Sequence, residues 1–300
     1  MFSFRNIGNS CYLNAGIQCL MRLPLLNQIL DNAVQSNQSA SAPFYKEYDD
    51  LRKMALNHEN CVISPALFRH SMQLYAKHMG DENFMGMQQN DVSEFIQFVL
   101  NALHDALACE QNFDEIHCDN DIERKCVDMM KKTYGKEFSD VVHLFHTIQI
   151  SVIKENITPE TFLVLNLPLH GTTLVECVER YMESETIEGW YNEETKSTEN
   201  VQRTLDFVRL PPILFLCLKR FSADGKKDSR PIDVPLELSI GDKKYDLQCG
   251  CLHQGGVNSG HYSAFASIKG AWTVIDDDTY YPMKETKNIY CVFYILKSSE

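Results

Sequence analysis

The sequence is poor in positive charge and has no long hydrophobic run. Its 300 residues carry 28 lysines and arginines against 41 aspartates and glutamates, a formal net charge of −13. Nucleic acids and anionic membranes are therefore disfavoured as partners, and a basic partner is favoured. No apolar stretch approaches the roughly 20 residues that a membrane span needs. No apolar h-region follows the first five residues, so the N-terminus does not read as a signal peptide.

The chain also lacks any Cys-x-x-Cys pair, although it has 11 cysteines. Such pairs are the usual ligands of structural zinc, so the sequence predicts no bound metal and no cofactor. One alternative is a zinc site of Cys109, His117, Cys118 and Cys126, whose spacing matches no common pattern. An odd, irregular set of cysteines argues against a disulfide framework and predicts a reducing intracellular compartment, cytoplasmic or nuclear.

The composition is that of a globular protein, with 44% hydrophobic and 23% charged residues. The length allows one large domain or two small ones. Helical periodicity dominates the first 108 residues, and strand-like runs dominate from about residue 142. This order predicts the α+β class, with helices first, an antiparallel sheet second and a cleft between them.

The local patterns predict individual elements. Gln89–Ala108 carries one apolar face and reads as an amphipathic helix, a second helix is predicted at Thr173–Met182, and residues 35–43 read as a polar loop. The predicted strands are His146–Ile153, Phe162–Leu167, Ile213–Phe221, Tyr245–Leu252, Tyr262–Ser267, Trp272–Ile275 and Tyr290–Leu296.

Cys11 stands at the start of an apolar-periodic run. Residues 6–14 read Asn-Ile-Gly-Asn-Ser-Cys-Tyr-Leu-Asn, and apolar residues then recur at helical spacing as far as Leu20. Asn9 and Ser10 are both good N-cap residues, which places Cys11 in the first turn of a helix. A thiol there meets the positive end of the helix dipole and unpaired N–H groups, which favour the nucleophilic thiolate. The alternative is a small buried hydrophobe.

A base for this thiol is found near the C-terminus. His261 follows Gly260 at the start of a strand-like run, and the next run ends in three consecutive aspartates at 276–278. A hairpin that turns near residues 269–270 would bring one aspartate beside the imidazole. Such a carboxylate fixes the tautomer of the ring and stabilises its cation. Read alone, the histidine could be structural and the aspartates a solvated turn.

Asn6 supplies a fourth polar group, on the turn that leads into the helix of Cys11. Its amide could donate to a developing oxyanion, with the backbone N–H of Cys11 as a second donor. The alternative is a simple turn asparagine.

These segments resemble those of a known family. Residues 6–18 resemble the cysteine box of the ubiquitin-specific proteases, and residues 260–278 resemble their histidine box. The similarity runs from about residue 4 to about residue 296. Four shorter segments match family motifs in the expected order: 88–95, 214–221, 253–255 and 289–294.

The resemblance implies a papain-like cysteine peptidase with a helical thumb lobe, an antiparallel β palm and a β fingers extension. It implies a deubiquitinating thiol protease that acts on ubiquitin and ubiquitinated proteins, and we expect a monomer. The expected organisation is a single catalytic domain, 1–300, divided into a thumb-like lobe (1–108), a charged insertion (109–141), a fingers-like region (142–212) and a palm-like lobe (213–300).

The resemblance also assigns site residues. Cys11 is the expected nucleophile, His261 its base and Asp276 the residue that orients the base, with Asp277 as the alternate. Asn6 is the expected oxyanion donor. The expected contacts with the basic ubiquitin tail are Asp91, Glu94, His253, Gly255, Gly260 and Tyr262.

The chain departs from the family in the fingers. Many members carry two Cys-x-x-Cys pairs there, whereas this chain has Lys154–Ile157 and Trp190–Thr195 at the corresponding places. The expected fingers are therefore metal-free. Two alternative functions stay open: a ubiquitin-binding scaffold without catalysis, and a protease for another ubiquitin-like modifier.

Overall fold

The structure is a computed structural model. It describes residues 1–33, 39–58, 60–110, 116–135, 137–193, 195–256, 259–284 and 288–297. The first part of the predicted loop at 35–43 lies outside the described residues, and its last two residues already belong to a helix.

The N-terminal part of the chain forms a helical lobe. It begins with a short strand that pairs in parallel with a second one. The elements of this lobe are β1 (Phe2–Phe4), α1 (Cys11–Leu20), α2 (Pro24–Asn32), α3 (Ala42–Asn57), β2 (Cys61–Ile63), α4 (Ala66–Met79), α5 (Glu82–Met85) and α6 (Val92–Leu107).

Two sheets follow a short connecting region of β3 (Cys109–Glu110), α7 (Asp121–Tyr134), β4 (Glu137–Phe138) and α8 (Asp140–Phe145). The first sheet has the order β6-β5-β9-β8 and holds the region predicted as fingers. Its strands are β5 (Thr147–Ile153), β6 (Asn156–Phe162), β8 (Glu185–Asn192) and β9 (Ser197–Arg209).

The second, palm-like sheet has the order β15-β14-β13-β12-β16-β10-β7, and β11 pairs with β12. Helix α9 (Leu174–Met182) packs against β7. The strands are β7 (Leu165–Pro168), β10 (Ile213–Lys219), β11 (Glu237–Ile240), β12 (Lys243–Gly255), β13 (Gly260–Ile268), β14 (Ala271–Asp276), β15 (Thr279–Pro282) and β16 (Ile289–Leu296).

The main core lies between the helical lobe and the palm-like sheet. All ten residues of α1 are buried, because this helix packs on α6 on one side and on β13 on the other. Gly16 permits the close approach to α6, since a Cβ there would lie 2.6 Å from Cδ1 of Phe95. Helix α1 is thus fixed at the boundary between the lobes. No helix among the described residues is long and apolar enough to cross a membrane.

Several predicted elements are confirmed, with shifted ends. The helix predicted at Gln89–Ala108 begins at Val92, because Asp91 is its N-cap and accepts from the backbone N–H groups of Ser93 and Glu94. The helix predicted at Thr173–Met182 is α9, and Thr173 is its N-cap in a capping box.

Other predictions were wrong or incomplete. The single strand predicted at Phe162–Leu167 is the end of β6 and the start of β7, which belong to different sheets. The palm-like sheet is not wholly antiparallel, since β10 pairs with β7 in parallel. The long strand β9 was not predicted, because its alternating polar residues carry little hydrophobic signal.

Candidate active site

Cys11 is the first residue of α1 and is buried at 2% exposure. Ser10 occupies the predicted N-cap position, yet its side chain makes no capping bond to the helix. Its hydroxyl accepts from the backbone N–H of Ile7 and donates to Asn6 Oδ1. The first N–H groups of the helix therefore remain without a side-chain cap, which leaves the positive end of α1 available to a negative charge.

The turn before Cys11 has an unusual backbone. Gly8 has φ +90° and Asn9 has φ +47°, so two consecutive residues lie in the left-handed region. Asparagine is among the few side chains that tolerate this region. The turn directs the chain from β1 into α1 within a few residues, and it also carries Asn6.

His261 and Asp276 lie on the two strands of a hairpin. Strands β13 and β14 pair in antiparallel register through Ile268 and Ala271, around the predicted turn at 269–270. His261 Nε2 lies 2.5 Å from Asp276 Oδ1. The pKa of His261 is raised to about 10, first by this hydrogen bond and next by the neighbouring Cys11 side chain. The fold thus brings an imidazole and a carboxylate into one region with a thiol that precedes them by 250 and 265 positions in the sequence.

Asp277 lies in a different hydrogen-bond network. Asn14 Nδ2 donates to its Oδ1 at 2.7 Å, and Asn6 Nδ2 donates to its Oδ2 at 2.8 Å. Its own carbonyl accepts from the N–H of Phe4. Asp277 therefore ties the end of the β13–β14 hairpin to the N-terminal segment and α1.

The amide of Asn6 is held at both ends. Its Oδ1 accepts from the Gly8 N–H at 2.9 Å and from the Ser10 hydroxyl at 3.2 Å. Its Nδ2 faces the other way and donates one hydrogen to Asp277. The amide nitrogen has a second hydrogen, the one that the oxyanion role predicted for Asn6 requires.

A cleft of about 470 Å³ leads to Cys11 between the lobes. Its walls combine apolar surface with several polar side chains, as is usual for a ligand site. The lining residues are Cys11, Gln89, Asn90, Asp91, Phe221, Ser222, Ala223, Gly225, His253, Gly260 and Tyr262.

The carboxylate of Asp91 is fully engaged within the protein. Its Oδ1 caps α6, and its Oδ2 accepts the hydroxyl of Tyr262 at 3.2 Å and that of Tyr290. The pKa of both phenols is raised, first by burial. Asp91 thus joins the helical lobe to two strands of the palm-like sheet.

Glu94, by contrast, is an exposed carboxylate in the first turn of α6. Its pKa is raised by partial burial and by the neighbouring charges of Asp91 and Asp81. Like charges near the start of α6 destabilise one another, and a cationic ligand would relieve that repulsion.

His253, Gly255 and Gly260 lie together where β12 turns towards β13. His253 is 3% exposed, and burial lowers its pKa to about 4, so the ring is neutral. A Cβ on Gly260 would lie 2.0 Å from His253 Nε2. Gly255 has φ +92°, and a Cβ there would lie 2.4 Å from the Ser259 carbonyl oxygen. Both glycines therefore lie where no larger residue fits without displacement.

Three side chains at the site were not singled out from the sequence. Tyr290 donates to Asp91, and Asn14 donates to Asp277. Arg69 donates to the carbonyls of the turn before Cys11. All three act across large sequence separations. The only sequence signal for them is the position of Asn14 in the segment that resembles the cysteine box and of Tyr290 in the resembling closing strand.

The residues at the fingertips do not fit a zinc ion. At the tip of the β5–β6 hairpin, Lys154 Nζ lies 2.5 Å from Glu199 Oε1 and 5.2 Å from the centre of the Trp190 ring. Asn192 Nδ2 also donates to Glu199, at 2.7 Å. Among the described residues, one group of metal-ligand type has its ligand atoms within 4.8 Å of one another, and it is His261, Asp276 and Asp277 at the site itself. The alternative cluster around Cys109 and Cys126 is not among such groups.

Known proteins are similar to this chain over nearly its whole length. The model of the ubiquitin carboxyl-terminal hydrolase family matches residues 2–294. Ubiquitin carboxyl-terminal hydrolase 2 of Homo sapiens is 25% identical over 344 residues, which cover 98% of this chain and 55% of that protein. Ubiquitin carboxyl-terminal hydrolase 21 of Homo sapiens is 26% identical over 350 residues, which cover 97% and 60%. The chain thus spans a little over half the length of these relatives.

Solved structures give the same fold. The SAGA Ubp8/Sgf11/Sus1/Sgf73 DUB module bound to ubiquitin aldehyde matches with a TM-score of 0.72 and 22% identity, over 100% of this chain and 70% of that chain. The module bound to monoubiquitin matches with a TM-score of 0.75 and 23% identity, over the same shares. At these identities the likeness concerns the fold alone.

Proposed function

Because this chain belongs to the ubiquitin carboxyl-terminal hydrolase family, we propose that it is a deubiquitinating thiol protease. Its reaction is hydrolysis of the isopeptide or peptide bond after the C-terminal glycine of ubiquitin. The observation that carries the proposal is the hydrogen-bonded His261–Asp276 pair, whose pKa shift has Cys11 among its causes, together with the place of Cys11 in the cleft.

In the proposed mechanism the Cys11 sulfur attacks the carbonyl of the terminal glycine. His261 takes the thiol proton and then gives it to the leaving amine, so that a thioester forms. Water, activated by the same imidazole, hydrolyses the thioester. The raised pKa of His261 supports both steps, because the ring accepts the thiol proton readily and then holds it as an imidazolium until it is passed to the leaving amine. Asp276 orients the ring and stabilises its cation.

Two donors are proposed for the tetrahedral oxyanion: the second N–H of the Asn6 amide and the backbone N–H of Cys11. The open N-terminus of α1 supports this assignment, because no side chain caps it. Preorganised donors of this kind lower the barrier where negative charge develops.

The ubiquitin tail is proposed to enter along the cleft past Glu94. The exposed, charge-crowded carboxylate of Glu94 favours a basic tail. The tight packing at Gly255 and Gly260 favours small residues next to the scissile bond. Asp91 is assigned to tail binding by the resemblance, and its hydrogen bonds support an additional role in holding Tyr262 at the wall of the cleft.

We further propose ubiquitin and its conjugates as partners, without nucleic acid or membrane, and a monomeric protein in a reducing intracellular compartment. Eleven free cysteines support the compartment. The similar solved structures are of a module bound to ubiquitin aldehyde or to monoubiquitin, which supports ubiquitin as the substrate.

The test is hydrolysis of a fluorogenic C-terminal ubiquitin amide by the purified chain and by Cys11→Ala. We expect turnover that is lost in this variant and retained in Cys109→Ala, which removes an exposed thiol. Equal turnover by Cys11→Ala would refute the proposal. Tight binding of ubiquitin without turnover or labelling by a ubiquitin aldehyde would instead favour a scaffold.

A further inference from the structure

Arg69, on α4, is a buried cation that no sequence pattern marks. It is 3% exposed. The other deeply buried arginine of the helical lobe, Arg52, makes ion pairs with Asp49 and Asp31. The hydrogen bonds of Arg69 go instead to two backbone carbonyls. Its Nε and Nη2 have no hydrogen-bond partner among the described residues. A buried guanidinium with unused donors is costly, which calls for a compensating role.

The two carbonyls belong to the turn before Cys11. Arg69 Nη1 donates to the carbonyl oxygen of Gly8 at 2.6 Å and more weakly to that of Ile7 at 3.4 Å. The Gly8 carbonyl belongs to the left-handed segment of Gly8 and Asn9, and the Ile7 carbonyl directly precedes it. Such a segment persists only where its surroundings hold it. The hydrogen bonds from the buried Arg69 side chain hold it on the protein side.

The direction of the Ile7 carbonyl also determines where the next N–H group, that of Gly8, points. In a trans peptide the C=O and the following N–H point in opposite directions. When Arg69 binds the Ile7 carbonyl, the Gly8 N–H therefore points away from Arg69, and it donates to Asn6 Oδ1. With its oxygen held there, Asn6 directs its nitrogen the other way, towards Asp277. A rotation of the turn would reverse the contact that orients this amide.

The charge of Arg69 also reaches the start of α1. Burial raises the pKa of the Tyr12 phenol, which directly follows Cys11 in the sequence, and the charge of Arg69 acts to lower it. A positive charge at this end adds to the field of the helix N-terminus. Both favour negative charge at the reacting carbonyl.

We propose that Arg69 is a positioning residue that acts through the peptides of Ile7 and Gly8 to hold Asn6 in place as an oxyanion donor. The proposal rests on the proposed thiol protease function. It separates two properties of the site: the reactivity of the Cys11 thiol, which depends on His261, and the stabilisation of the oxyanion, which depends on the turn.

The test compares two reactions of Cys11 in the full chain. Hydrolysis of a ubiquitin C-terminal amide passes through an oxyanion, whereas alkylation by ubiquitin carrying a C-terminal bromoethyl group does not. In Arg69→Met we expect kcat for the amide to fall on the order of 10²-fold, the cost of one oxyanion donor. The KM and the alkylation rate should stay near those of the unchanged protein. Arg69→Lys keeps a cation and one donor, and should lie between the two.

Two further variants guard against a trivial loss of structure. Gly8→Ala disturbs the same turn from its exposed side, because the φ of +90° resists a side chain although nothing lies within 4 Å of the new Cβ. It should show the same selective loss of amide hydrolysis. Arg52→Met removes a buried arginine of the same lobe that lies away from the turn, and its two rates should keep their ratio.

Parallel loss of both reactions in Arg69→Met, or no loss of either, would overturn the proposal, and so would an unaffected Gly8→Ala. Failure of the proposed function would look different. In that case the unchanged protein would neither hydrolyse the amide nor be alkylated at Cys11.

Discussion

Asp276 and Asp277 are neighbours in the sequence and serve different contacts. Asp276 ends β14 with its carboxylate on His261. Asp277 has φ +50°, so the chain turns there and its carboxylate faces Asn6 and Asn14 instead. A single left-handed residue thus divides two adjacent acids between the imidazole and the N-terminal turn.

This division predicts different pH profiles for the two amide variants. In Asp276→Asn the ring loses the main cause of its raised pKa, so the alkaline limb of kcat/KM should move down from about pH 10 towards the ordinary histidine value. We expect kcat to fall on the order of 10³- to 10⁴-fold, because the orienting charge is lost. The measurement is kcat/KM for the ubiquitin amide from pH 6 to pH 10.5.

Asp277→Asn is the matched control for that experiment. It should lower kcat while the alkaline limb stays in place, because its hydrogen bonds are with Asn6 and Asn14 and not with the imidazole. If the limb moved in Asp277→Asn and not in Asp276→Asn, Asp277 would be the residue that orients His261.

At the scale of elements, the tips of two hairpins are joined by polar contacts. Lys154 lies at the tip between β5 and β6, and Glu199 and Trp190 lie near the tip between β8 and β9. The hydrogen bond from Lys154 is the main cause that lowers the pKa of Glu199. An ion pair and a cation–π contact thus occupy the place where thiolates would be needed to bind zinc.

We therefore predict that metal removal has no effect on this protein. Treatment with 1,10-phenanthroline should leave both the unfolding temperature and the hydrolysis rate unchanged. Lys154→Met should instead speed amide hydrogen exchange at the tips of the two hairpins, with little change in global unfolding, because the pair is largely exposed. Stoichiometric zinc by mass spectrometry, together with a lower unfolding temperature after chelation, would contradict this prediction.

At the scale of the whole molecule, buried neutral histidines join separate elements. His146 lies just before β5 and is 6% exposed, and its ring contacts Tyr134 of α7 and Thr161 of β6. Burial lowers the pKa of His146 to about 3, and the charges of His104 and Arg209 act in the same direction. His253, under the cleft, is also kept neutral by burial.

These histidines should make the fold sensitive to acid. Their pKa is lower in the folded protein than in the unfolded chain. As the pH falls below about 6.5, these histidines therefore bind protons in the unfolded chain before they do so in the folded protein. Stability should fall between that pH and about pH 4, by up to about 1.4 kcal/mol per pH unit for each such group. Urea unfolding at several pH values should show a shallower fall in His146→Gln than in the unchanged protein. If stability fell as steeply with pH in His146→Gln as in the exposed control His78→Gln, the predicted role of His146 would be contradicted.

The sequence determined the local elements around the site. Cys11 begins α1 and Asp91 is the N-cap of α6, because helix periodicity and capping chemistry act within a few residues. The β13–β14 hairpin follows from two alternating runs with a glycine turn between them. The order of the thiol, imidazole and acids along the chain, and the family resemblance, also came from the sequence alone.

Only the tertiary structure decided how these parts are connected. Packing between distant segments decides which aspartate bonds to His261. It also decides that one Asp91 oxygen caps α6 while the other accepts from two phenols, and that Arg69 contacts the turn before Cys11. The same holds for the parallel pairing of β7 with β10 and for the long strand β9. Local patterns report a residue's neighbours within a few positions, whereas these contacts join residues tens to hundreds of positions apart and are fixed by how the lobes pack together.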